Sequence, residues 1–278
     1  MRQVGVSVAL VALALGGLGP SVAQQIPPEE PRAGGVLISV DPKVAPAGDV
    51  ALWLRTREGE LKRVWEGKPY DVKLLRDGGV LLIERWPGRV VWLDRDKQVR
   101  FEKKGLTEPV DVELAKDGTI VVVLRTEGAV IGLDPGTGRE TWRRTGFSSP
   151  FDVELTPTGG LIVADSGQDR LVELDAAGQV VRTIGGISFP NTVERLQDGG
   201  LLVTDWSGGN LWELDPQGKV LSKRHVGGTI YRAWRRIDGA TVVATGDGTL
   251  TVFDAAGKVI ATEKLPHGLV DVEPIDDI

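Results

Sequence analysis

Pro150-Phe-Asp-Val-Glu-Leu155 decides the fold, because near-copies of this phrase return along the chain at an almost constant spacing. The prolines that open the four clearest copies are 40, 41 and 40 residues apart. These copies begin at Pro69, Pro109, Pro150 and Pro190, a weaker one begins at Ile230, and a truncated one begins at Leu269. A period near 40 residues is typical of one four-stranded propeller blade, and the segments lack the 3.6-residue periodicity of helical repeats. The sequence therefore predicts a repeat of β-strands.

Each repeat divides into four strands joined by two tight turns and two longer connections. In the third copy, Thr158-Gly159 separates the first two strands, and Asp175-Ala-Ala-Gly178 separates the last two. Other copies carry Asp-Gly at the first turn, a dipeptide that accepts the positive φ of a tight hairpin. Because strands alternate in direction, both tight turns lie on one face of the propeller. The longer, variable connections share the opposite face, called here the loop face, where function usually sits.

The N-terminal unit begins at Gly34 without a first strand, and the C-terminal segment Val270-Asp-Val-Glu273 supplies it. This pairing closes the ring and removes open sheet edges. Residues 34–273 hold 240 residues, which gives six blades of about 40 residues. The predicted fold is all-β: a six-bladed β-propeller of four-stranded antiparallel blades, followed by an acidic tail at 274–278.

The first 23 residues have the composition of a secretory signal peptide: Arg2, then an apolar run from Val4 to Leu18, then Ser21-Val22-Ala23. The run is shorter than the roughly 20 residues that span a bilayer, which disfavours a membrane anchor. Residues 24–33 form a Pro-rich leader. We therefore expect a periplasmic or secreted protein with no integral membrane span after cleavage.

Composition narrows the function classes. The 278-residue chain carries a net charge of −6, two histidines and no cysteine. Nucleic-acid binding depends on clustered Lys and Arg, so a nucleic-acid partner is not expected. The sequence contains no Gly-rich phosphate loop, serine nucleophile elbow or metalloprotease helix.

Residues 150–178 closely resemble an NHL repeat, and residues 190–218 are similar. The Asp and Arg that flank the turn after strand two in NHL repeats appear as Asp165 and Arg170, with Glu84 and Arg89 imitating them. We interpret these pairs as structural ties between the turn and strand three. The resemblance implies a propeller that binds proteins or ligands. It also includes enzymes of the gluconolactonase and strictosidine-synthase types, whose metal-ligand motifs have no residue-by-residue match here.

Polar residues alternate with Val and Leu along each predicted first strand, so they share one side of the pleat and face the axial channel. The set, blade by blade, is Asp71 and Lys73, Asp111 and Glu113, Asp152 and Glu154, Thr192 and Glu194, Arg232 and Trp234, Asp271 and Glu273. Two interpretations stay open at this point. The carboxylates form a solvated inner edge that deters further strand pairing. Alternatively, Asp71, Asp111, Asp152 and Asp271 at one level bind Ca²⁺ or another hard cation.

Aromatic residues gather on the loop face, where rings with polar tips commonly dock ligands and partners. The ligand-binding candidates are Tyr70, Trp86, Phe151, Trp206, Tyr231 and Arg232. The same rings are also typical of packing between blades. We expect non-catalytic binding of a protein or a small molecule around the channel mouth. The competing hypothesis is a cation-dependent hydrolase or lactonase, which needs several carboxylates on one metal.

Overall fold

The computed structural model describes residues 36–40, 51–56, 60–206, 208–265 and 269–274. These residues form six four-stranded antiparallel sheets arranged in a ring, which confirms the predicted six-bladed propeller. The predicted signal peptide, the leader and residues 275–278 lie outside the described residues. No helix in the described ranges is long and apolar enough to cross a membrane.

Blades 1 to 5 follow each other along the chain, and each uses four consecutive strands. Blade 1 holds β4 (Asp71–Leu74), β5 (Val80–Glu84), β6 (Arg89–Leu93) and β7 (Val99–Lys104). Blade 2 holds β8 (Pro109–Leu114), β9 (Ile120–Leu124), β10 (Ala129–Leu133) and β11 (Glu140–Thr145). Blade 3 holds β12 (Pro150–Leu155), β13 (Leu161–Asp165), a single 3₁₀ turn (Ser166–Gln168), β14 (Arg170–Leu174) and β15 (Val180–Gly185). Blade 4 holds β16 (Pro190–Arg195), β17 (Leu201–Asp205), β18 (Asn210–Leu214) and β19 (Val220–His225). Blade 5 holds β20 (Ile230–Arg235), β21 (Thr241–Thr245), β22 (Thr249–Phe253) and β23 (Val259–Lys264).

Blade 6 joins the two ends of the chain, as predicted. Its strands are β24 (Leu269–Pro274), β1 (Val36–Val40), β2 (Ala51–Arg55) and β3 (Leu61–Glu66). The C-terminal strand pairs with β1 and extends one residue further than expected, because Pro274 still pairs with Val36. A proline can end a strand because only its backbone donor is missing.

The core lies between the blades. The middle strands are short apolar runs such as Ile-Val-Val-Val-Leu in β9, which is buried on both faces. Outer strands such as β15 alternate exposed and half-buried residues. Among the described residues the buried side chains form six clusters, and each cluster joins two neighbouring blades. Contact between adjacent blades therefore holds the ring together.

Turn chemistry sets the orientation of the strands. The glycines of the predicted first turns all have positive φ, between 83° and 88°: Gly78, Gly118, Gly159, Gly199 and Gly239. A side chain at this φ is strained, which explains why the turn repeats glycine. These hairpins lie on one face, so the beginnings of the first strands and the ends of the second strands meet at the loop face.

Candidate functional site

The structure brings the five predicted aromatic residues into one connected arc on the loop face. Phe151 lies 5.8 Å from Trp206, centroid to centroid, and Trp206 lies 5.1 Å from Tyr231 with its ring nearly perpendicular. On the other side, the Arg85 guanidinium stacks on Tyr70 at 4.9 Å and lies 5.8 Å from Trp86. Such offset and edge contacts are the favoured geometries of aromatic and cation–π pairs.

Two arginines and a glutamate join the two halves of this arc. Arg125 stacks on Phe151 at 4.5 Å, and its guanidinium lies 3.3 Å from Glu108 Oε1. Arg85 donates to the same Oε1 atom. We call the whole set the aromatic-arginine arc: Trp86, Arg85, Tyr70, Glu108, Arg125, Phe151, Trp206 and Tyr231. It follows five consecutive blades, although Glu108 and both arginines were not among the sequence candidates.

Exposure differs along the arc. The Trp86 side chain is 67% exposed, whereas Phe151 is 8% exposed and serves largely as packing. Tyr70, Trp206 and Tyr231 are half-buried. Burial raises the pKa of Tyr70 to about 12, so its hydroxyl stays protonated and keeps its hydrogen-bond donor at neutral pH.

The Glu108 carboxylate is held ionised at the centre of the arc. Burial alone would raise its pKa, but hydrogen bonds from Thr126 and Arg85 lower it below its usual range. Glu108 has a left-handed backbone with φ of 49°, and the equivalent Ser149 and Phe189 share this conformation before their own prolines. The repeat therefore fixes the backbone here, and the glutamate side chain is specific to blade 2.

Arg232, the sixth predicted ligand-binding residue, lies apart from the arc. Its guanidinium sits in the channel, 2.9 Å from Glu273 and 3.7 Å from Asp271. Burial opposes its charge, yet the two carboxylates hold its pKa well above the usual range. Arg232 therefore acts as a counter-ion between blades 5 and 6.

The four predicted metal ligands connect the blades. In each case one carboxylate oxygen accepts a backbone N–H from the first strand of the next blade. The pairs are Asp271 to Val72 at 3.0 Å, Asp71 to Val112 at 3.0 Å, Asp111 to Val153 at 2.8 Å, and Asp152 to Val193 at 2.8 Å. These N–H groups belong to the inner edge of each blade, which has no further strand to pair with, so the carboxylate satisfies a buried donor.

These hydrogen bonds do not test whether the four aspartates bind a metal ion. In the described residues no group of three or more acidic or histidine side chains is arranged to hold a metal ion. Three of the four aspartates are less than 9% exposed. Burial and the charge of Asp271 hold the pKa of Asp71 well above its usual range, and burial raises the pKa of Asp152 to about 7. The calcium site stays a prediction.

The second polar residue of each first strand, such as Lys73 or Glu113, lies two positions further along the strand and therefore closer to the tight turns. These residues form a second polar level in the channel. It surrounds a cavity of about 300 Å³, next to the ends of the first strands. Lys73 lies 2.6 Å from Glu113 across this level, and Glu194 accepts the Arg235 N–H at 3.0 Å. Burial and the charge of Glu113 raise the pKa of Glu154 to about 8. Because this level lies towards the tight turns, the cavity lies away from the arc, which is on the loop face.

The predicted structural ties after strand two are confirmed. Asp165 accepts from Arg170 at 2.8 Å, and Glu84 accepts from Arg89 at 2.5 Å. Asp205 uses Asn210 instead, at 2.7 Å. Each carboxylate fixes a loop that carries part of the loop face, so these residues position the arc.

A match to a family model that covers most of the repeats identifies the family of the chain. Residues 76–268 match the family model described as outer membrane protein assembly factor BamB, which is more than half of the chain. The chain belongs to this family. The matched residues include Gly138-Arg-Glu-Thr-Trp142, a single phrase that resembles quinoprotein repeats and is too isolated to indicate a cofactor. The resemblance to NHL repeats is not confirmed by this match.

Several solved structures share the fold of this BamB-family chain at low sequence identity. A protein of unknown function from Bacteroides caccae has a TM-score of 0.69 at 13% identity, over 87% of this chain and 98% of its own. Virginiamycin B lyase from Staphylococcus aureus has 0.60 at 13%, over 71% and 70%. Hydrazine synthase from Kuenenia stuttgartiensis has 0.61 at 20%, over 72% and 68%. No curated protein sequence matches the chain significantly. These likenesses show the propeller fold alone.

The missed residues had a signal in the repeat. Arg85 and Arg125 occupy the same position in blades 1 and 2, directly after strand two, and Glu108 directly precedes the proline that opens blade 2. Alignment of the repeats by period places all three on the loop face. What the period does not show is that one carboxylate lies between the two guanidinium groups.

Proposed function

We propose that this protein is a non-catalytic scaffold that binds a protein partner through the aromatic-arginine arc, in the periplasm or outside the cell. The observation that carries the proposal is the continuity of the arc over five blades, from the exposed Trp86 to Tyr231. Tryptophan, tyrosine and arginine are the residues most enriched at the energetic centres of protein interfaces.

The scaffold supports this role because most residues of the arc stand at or next to strand ends of a closed ring. Tyr70 directly precedes β4, Trp206 directly follows β17, and Tyr231 lies within β20. Side chains held on regular strands lose little conformational freedom on binding. A partner thus meets a surface that is already ordered.

A protein partner fits the arc better than a small molecule does. The cavity in the channel is lined by Lys73 and Arg232, which are already paired with carboxylates. The arc, by contrast, extends over five blades of the loop face. The family description, outer membrane protein assembly factor, supports a partner at the outer membrane. The predicted signal peptide at 1–23 agrees with this location.

Site-specific photo-crosslinking in the intact source cell tests the proposal. Benzoylphenylalanine replaces Trp86 in one variant and Ile237 in another. Ile237 is 83% exposed and lies in a tight turn on the opposite face, so it is a matched control. We expect a discrete crosslinked protein at position 86, absent at position 237 and identified by mass spectrometry. Equal adducts at both positions, or none at position 86, would contradict the proposal.

A further inference from the structure

Two cations share one anion at the centre of the arc. Arg85 and Arg125 both contact Oε1 of Glu108, while Oε2 accepts the hydroxyl of Thr126. The local balance is therefore two positive charges against one negative charge. The Nε atoms of both arginines are buried and have no hydrogen-bond acceptor among the described residues. Glu108 therefore balances only part of the charge of the pair.

The aromatic rings hold both guanidinium groups in place. Arg85 stacks on Tyr70 and Arg125 stacks on Phe151, and the two arginine side chains keep 18% and 26% of their surface exposed. The terminal nitrogens that do not contact Glu108, Nη1 of Arg85 and Nη2 of Arg125, remain to donate to a ligand. Because the stacked guanidinium groups are fixed in advance, binding a planar anion costs little conformational entropy.

The charge balance selects the kind of anion. A carboxylate carries one negative charge, which matches the single excess positive charge of the Arg85–Glu108–Arg125 cluster. A phosphate group carries nearly two, and the ionised Glu108 beside it would repel the second. Planar carboxylates also match the fork of arginine in two-point contact.

We infer that Arg85 and Arg125 bind a carboxylate group of the partner, with an aromatic side chain beside it packing against Trp86 or Trp206. The occupant is an acidic peptide segment, and this inference rests on the proposed function of the arc. Glu108 has a defined part in it: it orients both arginines and, through its charge, weakens the binding of a second carboxylate.

The test uses N-acetylphenylalanine, which carries a carboxylate next to a ring, and N-acetylphenylalanine amide, which has the same shape without the charge. Binding is followed by NMR through the indole and arginine Nε–H signals of the mature protein. We expect the acid to bind about tenfold more tightly than the amide. Arg125→Gln should remove this preference, whereas Arg95→Gln, at a side chain 71% exposed in a tight turn, should keep it.

Glu108→Gln gives a result that a merely structural role does not produce. It removes the repelling charge and keeps the shape, so we expect the acid to bind more tightly than to the parent protein. Arg125→Lys, which keeps the charge and loses the fork, serves if Arg125→Gln fails to fold, and it should lower the acid preference several-fold. Equal binding of acid and amide, weaker acid binding in Glu108→Gln, or stronger binding of inorganic phosphate at matched ionic strength would overturn the inference.

The two proposals fail separately. If Trp86 crosslinks to a partner but the acid shows no preference, the arc still binds protein and the carboxylate inference falls. If the acid binds as expected but no adduct forms at position 86, the anion site stands and the protein-scaffold function falls.

Discussion

Glu154 is expected to destabilise the folded protein at neutral pH, and Glu154→Gln should remove that effect. Among the described residues its carboxylate has no hydrogen bond or ion pair, and it faces Glu113, Lys73, Asp152 and Glu194 in the channel. Burial and the charge of Glu113 raise its pKa from 4.5 to about 8. An acid whose pKa is raised on folding binds more protons in the folded state, so stability falls as pH rises from about 4.5 to about 8.

The magnitude follows from the same two values. At pH 7 the unfolded chain has Glu154 ionised, while the folded protein holds it mostly protonated. The difference over the interval between pH 4.5 and pH 7 corresponds to about 3 kcal/mol of unfolding free energy. Glutamine is neutral at every pH, so Glu154→Gln should stabilise the protein by about this amount at pH 7 and hardly at all at pH 4.5. For a propeller of this size the shift in Tm is on the order of 6–12 °C.

Urea unfolding followed by the fluorescence of the eight tryptophans measures the effect at pH 4.5 and pH 7.5. Glu113→Gln is the paired comparison, because Glu113 lies 2.6 Å from Lys73 and its charge also raises the pKa of Glu154. It removes the nearest partner of the half-buried Lys73, which should cost about 2 kcal/mol at pH 7.5, less what the lower pKa of Glu154 returns. The reasoning is refuted if Glu154→Gln is no more stable than the parent at pH 7.5, or if its gain is the same at both pH values.

Three further predictions concern the ring. Glu263→Gln should lower the unfolding free energy by about 3 kcal/mol, because it removes a charged partner that is bonded at 2.8 Å to Arg55, a side chain only 1% exposed; urea unfolding measures this. Deleting residues 270–278 removes most of β24 and exposes the apolar faces of blades 1 and 5, so cooperative melting should be lost in calorimetry; an unchanged Tm would refute the split blade. If Asp71, Asp111, Asp152 and Asp271 bind Ca²⁺, CaCl₂ should raise Tm more than NaCl does at matched ionic strength, and Asp111→Asn/Asp152→Asn should abolish the difference. Equal shifts in the two salts would refute the metal site.

The fold could be predicted from the sequence because its determinants are local and repeated. The turn glycines such as Gly78 need a backbone that other residues avoid, and they mark the hairpins at a fixed spacing. The apolar runs such as β9 then identify the strands buried on both faces. Even the split blade follows from counting, because a truncated repeat at each end completes a whole one.

The role of the channel carboxylates could not be predicted because it depends on the register between blades. Alternation shows that Asp71 and Asp111 share a face, but their partners are backbone groups 41 and 42 residues away on neighbouring sheets. The same limit applies to Arg232, whose aromatic neighbour Tyr231 lies on the loop face while the arginine points into the channel. Adjacent residues on a strand face opposite sides, so one repeat position separates a surface residue from a channel residue.

The aspartate contacts between blades all run in one direction around the axis. Asp71, Asp111 and Asp152 each bind an N–H group that lies later in the chain, on the blade that is synthesised next. A chain made from its N-terminus can therefore join blades 1 to 4 in order, each new first strand meeting a carboxylate that is already in place. The series stops at Thr192 in blade 4, and the remaining contact, from Asp271 back to Val72, spans 199 residues. The order of these contacts thus follows the order of synthesis, and the ring cannot close before the last strand has been made.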